Sequence, residues 1–138
     1  MKLTNNEIYT YALALNEAFS DNAQKFPMKV NFYLQKNKKT LTALGQDIEE
    51  ARLEIIRNYG VIAEDGTTYT IPKETVEKAQ QELVDLLELE QDVEIYKIKA
   101  DSLPDDINLT MSQMDAIMFM IDWLIYLGGW RISSSQII

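Results

Sequence analysis

Carboxylates are the most abundant reactive groups in this 138-residue chain, which has 22 Asp and Glu, 13 Lys and Arg, and neither His nor Cys. The missing residue types remove imidazole bases, thiol nucleophiles, thiolate zinc sites and every Ser-His triad. Asp101, Asp105 and Asp106 cluster around Ser102. They lack the alternating oxygen ligands and the glycine of a calcium loop, and acids after Pro104 suit a turn. Glu49, Glu50 and Glu54 stand at helical spacing from Arg52 and Arg57, the pattern of surface ion pairs. Gly128-Gly129 and the other glycines form no phosphate-cradling loop, and no nucleophile has a visible base. The sequence therefore implies no catalytic residues, no metal and no cofactor. Acid pairs assembled in three dimensions are the one route left to enzymatic chemistry.

Charge is unevenly spread. Residues 22–46 contain no acid but include Lys25, Lys29, Lys36, Lys38 and Lys39. Residues 47–94 hold fourteen acids against Arg52, Arg57, Lys73 and Lys78, a net of −10. The lysines at 25, 29 and 36 project beside an apolar stripe. Their stems can cover that seam, or their charges can meet an acidic partner. The charged candidates for partner binding are accordingly Lys29, Lys36 and Lys39 on one side and Glu82, Asp85 and Glu88 on the other. Phe32 and Tyr33 would allow single-strand stacking. A net charge of −9 and a pI near 4.4 argue against a protein that neutralises phosphates, and against adsorption to an anionic membrane.

These residues must be positioned by a long helix over 28–59, whose apolar residues Val30, Leu34, Leu41, Leu44, Ile48, Ala51, Ile55 and Tyr59 recur in steps of three, four and seven. It would span roughly 48 Å at 1.5 Å per residue, so one end should meet another element or another chain. Gly60 stands where a left-handed cap is expected. A shorter helix precedes it, opened by a Thr4…Glu7 capping box, with Ile8, Tyr11, Ala12, Leu15, Ala18 and Phe19 on one face. After Gly60 the period changes. Residues 61–63 and 68–71 around Asp65-Gly66 predict a β-hairpin. Pro72 then starts a helix with Val76, Ala79, Leu83, Leu86 and Leu87 on its core face. Residues 93–99 predict a strand whose Lys97 and Lys99 suit an edge, and residues 107–109 a further short one.

The last helix is expected from Met111 to about Leu127, opened by a Thr110…Gln113 capping box and closed by Gly128-Gly129. Its apolar part is too short, and is interrupted by Asp122, for a membrane span of roughly 20 residues. A helix apolar on so many faces is either central and buried or a contact with another chain. Phe119, Trp123, Tyr126, Leu127 and Trp130 are the apolar partner-binding candidates. The N-terminus has no apolar segment of the signal-peptide type, so secretion by that route is not expected. The expected organisation is one α+β domain over 1–129 and a tail over 130–138. The domain combines a long N-terminal helical region, a small antiparallel sheet including the hairpin, and an apolar C-terminal helix.

Several stretches together resemble a family of small phage and prophage proteins of uncharacterised function from phages of Gram-positive bacteria. They are Lys2-Leu3-Thr4-Asn5, Lys29-Val30-Asn31-Phe32-Tyr33-Leu34-Gln35-Lys36-Asn37, Glu50-Ala51-Arg52, Tyr69-Thr70-Ile71-Pro72, Tyr96-Lys97-Ile98 and residues 114–121. The resemblance reaches to about Asp122, and the run around Phe32 is its most distinctive part. It brings no catalytic residues. It implies an accessory protein acting on other proteins in the bacterial host cytoplasm during infection, or associated with the virion. Two classes of function fit. One is a virion assembly or structural accessory that binds itself as a homo-oligomer or binds a phage structural protein. The other is an inhibitor of a host defence protein that presents its acidic segment to a basic groove. Neither requires direct contact with nucleic acid or with a membrane.

Overall fold

A computed structural model of the chain describes residues 1–20, 26–122, 124–127 and 130–133, the last two stretches as backbone only. It is mixed α and β, with helices and small two-stranded sheets. The chain divides into two compact units, Met1–Thr10 with Leu41–Val93 and Tyr11–Thr40 with Glu94–Ile138. Helices α1 (Asn5–Ala18) and α2 (Met28–Tyr59) contribute residues to both.

In the first unit, strand β1 (Lys2–Thr4) pairs antiparallel with β4 (Glu90–Asp92), Leu3 opposite Gln91. Leu3 is buried between an exposed and a half-buried neighbour, as the alternation of a strand requires. The capping box then opens α1: Glu7 accepts from the Thr4 amide at 3.0 Å, and the Glu7 amide donates to the Thr4 hydroxyl at 3.1 Å. Buried Asn5 reaches the end of α3 (Lys73–Glu88) and the strand after it. It donates to the Leu86 carbonyl at 2.8 Å and accepts from Gln91 at 2.7 Å. The core of this unit contains Leu3, Ile8, Leu41, Ile48, Ala79 and Val93. On α3, Val76, Leu83, Leu86 and Leu87 are half-buried beside buried Ala79, while Glu74, Glu77, Glu82, Asp85 and Glu88 are exposed.

Helix α2 has the expected bounds, but Gly60 does not cap it in the left-handed conformation. Only Gly66 has a positive φ among the described residues, at 75°. The Gly60 amide donates to the Ile56 carbonyl at 2.7 Å. A Cβ there would stand 2.6 Å from that same oxygen and 3.2 Å from the Tyr69 ring. Close approach, not left-handed backbone, is what requires glycine. The hairpin follows: β2 (Val61–Ile62) pairs with β3 (Tyr69–Thr70). Asp65 accepts from the amides of Thr67 and Thr68 and from the Thr68 hydroxyl, closing the turn.

In the second unit, residues 12, 15 and 19 of the first helical face are buried, as are Val30 and Leu34 of α2. So is Asn37, which occupies the next position of the same stripe, between Leu34 and Leu41. The end of α1 is met by side chains: Gln113 donates to the Ala18 carbonyl at 3.2 Å and Lys38 to the Phe19 carbonyl at 3.4 Å. Carbonyls at a helix C-terminus have no partner within the helix, and these bonds supply one.

Three expectations are corrected in the C-terminal half. The strand over 93–99 is reduced to β5 (Ile98–Lys99), because the backbone of Tyr96 is engaged by Asn37 and not by a neighbouring strand. Residues 107–109 form no strand; the turn before them closes through the Ile107 amide to the Pro104 carbonyl. The long apolar last helix is not present. Its capping box is, with Thr110 and Gln113 bonded reciprocally, but α4 runs only Met111–Ile117 and tightens to a 3₁₀ turn at Met118–Met120. The chain then becomes β6 (Ile121–Asp122), parallel to β5, and β7 (Leu124–Leu127), antiparallel to β8 (Trp130–Ser133). Isoleucine and aromatic residues, frequent over 121–132, have high strand propensity. Leu127 stands opposite Trp130 in the β7–β8 ladder. A continuous apolar run satisfies helical and strand periods alike, so the period misleads there.

Candidate functional site

The richest concentration of functional side chains lies in the second unit, on the first three turns of α2 and on the segment around β5. Along α2, exposed residues 28, 32, 36 and 39 follow helical spacing. They are Met28, 88 % exposed, Phe32, 54 % exposed, Lys36 and Lys39. The Lys36 ammonium stands 5.5 Å from the centre of the Phe32 ring, and the Lys29 ammonium 5.7 Å from that of Tyr33. Each is an i, i+4 pair in which the ring quadrupole attracts the cation. Tyr33 stacks on Tyr96, ring centres 5.1 Å apart. Tyr96 is fixed in turn by Asn37, so the aromatic surface rests on a buried hydrogen-bonded support.

Beside this surface is a pocket of about 150 Å³ lined by Lys29, Val30, Tyr33, Lys97, Ile98, Lys99 and Ser102. Val30 and Ile98 are buried and apolar, while the three lysines and Ser102 are exposed. The Lys97 ammonium donates to the Phe119 carbonyl at 3.0 Å. Burial lowers its pKa from the ordinary lysine value, and the nearby charge of Asp122 opposes that shift. The pocket lining includes no acid. Lysine offers donors only, and hydroxyls can donate, so the polar residues of this lining are of the donor type.

The other charged candidates lie in the first unit. Glu82, Asp85 and Glu88 are exposed on α3. Glu82 accepts from the Tyr59 hydroxyl at 3.0 Å, a bond that raises the phenol pKa, and Asp85 accepts from Gln81 at 2.9 Å. Glu74, Glu77, Gln81, Asp85 and Glu88 recur in steps of three and four and share one exposed face. The basic residues of α2 nearby in sequence are matched on their own helix. Arg52 meets Glu49 at 2.6 Å, a bond that lowers the Glu49 pKa, and Arg57 stands 3.9 Å from Glu54. The first unit has five basic and fourteen acidic residues and the second eight of each, so the whole net charge of −9 belongs to the first.

Of the apolar candidates, Phe119 is half-buried and lies flat against Tyr11, ring centres 4.2 Å apart and planes 4° from parallel. Tyr126, Leu127 and Trp130 stand on the β7–β8 ladder, Leu127 opposite Trp130. Trp123 lies outside the described residues, as does the tail from residue 134. Sequence reasoning pointed to Lys29, Lys36 and Lys39 but not to their company. Lys97 and Lys99 read only as edge-strand charges, and Ser102 as part of a turn. The available signal was the absence of acids among the lysines of both segments, residues 22–46 and 95–100.

Among the described residues no group of acidic side chains is placed to hold a metal ion, and no helix is long and apolar enough to cross a membrane. Comparison of the chain with protein-family models, curated proteins and solved structures found no match.

Proposed function

We propose that this protein is a phage-encoded, non-enzymatic protein-interaction protein, a virion assembly accessory that associates with copies of itself through electrically complementary faces. The observation that carries the reading is the division of charge between the units. One unit holds the whole net charge of −9 and presents an acidic row on α3. The other presents Met28, Phe32, Lys29, Lys36 and Lys39 on α2. Two different faces on one chain make a heterologous contact, which closes into rings or extends into filaments. Phe32 and Met28 supply apolar area at the centre of such a contact, and the lysines supply orientation. The phage context rests on the resemblance around Phe32, Tyr33 and Asn37, which implies the bacterial host cytoplasm during infection or association with the virion.

The test is light scattering with size-exclusion chromatography at low and high salt. Association at about 50 mM salt that is lost at about 500 mM is the expected outcome, because exposed charge contacts are screened over roughly 4–14 Å across that range. Charge reversal of Glu77, Asp85 and Glu88 to Lys should abolish association, and mixing that variant with one carrying Lys36→Glu and Lys39→Glu should restore it. A salt-independent monomer would overturn self-assembly. Inhibition of a host defence protein is the second reading, carried by the same acidic row: Arg52 and Arg57 are engaged by acids of their own helix, although Lys73 and Lys78 stand on α3 among its acids. Under that reading the α3 triple reversal abolishes binding to a basic target while the chain remains a monomer.

A further inference from the structure

The geometry points to a small-anion site in the second unit: the pocket formed by Lys29, Tyr33, Lys97, Lys99 and Ser102 over Val30 and Ile98 binds a phosphate-class dianion. This goes beyond self-association and does not depend on it, since the pocket is complete within one unit of one chain.

Three features select the ligand. The first is polarity. Three lysines, a tyrosine and a serine are among the described lining residues, and no acidic residue is. A cation would be repelled, and a neutral ligand would leave the lysine charges uncompensated. The second is charge. The Lys97 ammonium donates one hydrogen bond to the Phe119 carbonyl, which leaves its other N–H groups for a ligand. Three lysines in one lining favour a multiply charged anion over a single carboxylate. Lysine acts as a point charge toward phosphate and needs no bidentate fork, so the lack of arginine is no obstacle. The third is size. A volume of about 150 Å³ is below the roughly 300 Å³ at which pockets begin to hold drug-sized ligands. Phosphate or pyrophosphate matches that volume.

The positions of these groups are set by the fold and not by mobile side chains alone. Buried Val30 and Ile98 anchor the two backbone segments that present Lys29, Lys97 and Lys99. Tyr33 is held against Tyr96, whose backbone is bonded to Asn37. The net acidity of the chain does not forbid the site, since charges beyond about 8 Å are screened at physiological ionic strength.

The experiment is an amide-resolved NMR titration of the full chain with inorganic phosphate, pyrophosphate and, for comparison, acetate. Saturable shifts confined to residues 29–33 and 97–102, with pyrophosphate and phosphate ahead of acetate, are expected. Lys29→Gln with Lys99→Gln should weaken pyrophosphate binding by about tenfold or more, as removal of charge-assisted bonds requires. Lys39→Gln, on the exposed α2 row and not in the pocket lining, should change it by less than about twofold. All three positions are exposed, and unchanged amide spectra elsewhere report that each variant is folded. Absence of saturable shifts in the wild-type chain, equal response to acetate, or equal loss in the Lys39 variant would each overturn the site.

Discussion

The side chain of Asn37 is paired with the main chain of Tyr96 in both directions: its Oδ1 accepts from the Tyr96 amide at 2.8 Å and its Nδ2 donates to the Tyr96 carbonyl at 2.9 Å. Asn37 is 0 % exposed and stands in the apolar stripe of α2, with the Met120 sulfur 3.4 Å from its Nδ2. It does for the chain at residue 96 what a neighbouring strand would do, which is why the expected strand is missing there. Asn37→Leu keeps the branching of the side chain but leaves a peptide donor and a peptide acceptor without partners. Each such group costs about 1–3 kcal/mol when buried. The expected loss in a urea unfolding titration is therefore about 2–6 kcal/mol. A loss under about 0.5 kcal/mol would show that water replaces both bonds.

Asn5 plays the corresponding part in the first unit. Its Nδ2 bonds the Leu86 carbonyl, its Oδ1 the Gln91 amide, and its own main-chain amide the Leu89 carbonyl. Asn5→Ala removes the two side-chain bonds and leaves the third. The expected cost is about 1–3 kcal/mol, with faster hydrogen exchange at the end of α3 and across the β1–β4 ladder. Exchange unchanged in those segments would mean that the β1–β4 ladder suffices without the side chain.

These two asparagines mark where sequence reading reached its limit. The bounds of α2 are legible because apolar residues recur at helical spacing on both sides of Asn37 and Gly60 follows the last of them. The β2–β3 hairpin was legible through Asp65-Gly66, and both capping boxes through three-residue spacing. Asn37 was not, because a polar residue in an apolar stripe reads as a gap until its partner, 59 residues later in sequence, is known. β1 was missed for a related reason: three residues carry no period, and the strand exists through its pairing with residues 90–92. At the C-terminus an apolar run matches the helical and the strand period alike. The site was half legible. Lys29 and Lys36 stood out by charge, whereas Lys97, Lys99 and Ser102 join them only through the tertiary fold.

Gly60 and Gly66 separate two reasons for glycine. At Gly66 the φ of 75° disfavours any side chain, but a Cβ would meet nothing within 4 Å. Gly66→Ala should cost about 1–2 kcal/mol from backbone preference alone, and Gly66→Asn less. At Gly60 the backbone is not left-handed, but a Cβ would stand 2.6 Å from the Ile56 carbonyl oxygen. No rotamer relieves a clash with the backbone, so Gly60→Ala should shift the junction of α2 with the hairpin and Gly60→Asn should give no relief. Thermal unfolding of the four variants checks this. Rescue by Asn at 60 as well as at 66 would return Gly60 to the left-handed class.

Asp65 makes the hairpin turn sensitive to acid. Its hydrogen bonds from the Thr68 hydroxyl and from the Thr67 and Thr68 amides hold the carboxylate pKa down from 3.8 to about 2. A carboxylate whose folded value lies below its unfolded one binds fewer protons in the folded turn. Its contribution is complete above the ordinary value near 3.8 and is lost as pH falls through about 2. As pH falls through about 2 the Thr67 and Thr68 amides should lose their downfield NMR shifts. Asp65→Asn keeps an acceptor oxygen but removes the titration, so its turn amides should be insensitive to pH over the same window. A pH profile that is the same with Asp and with Asn would assign the acid sensitivity to another group.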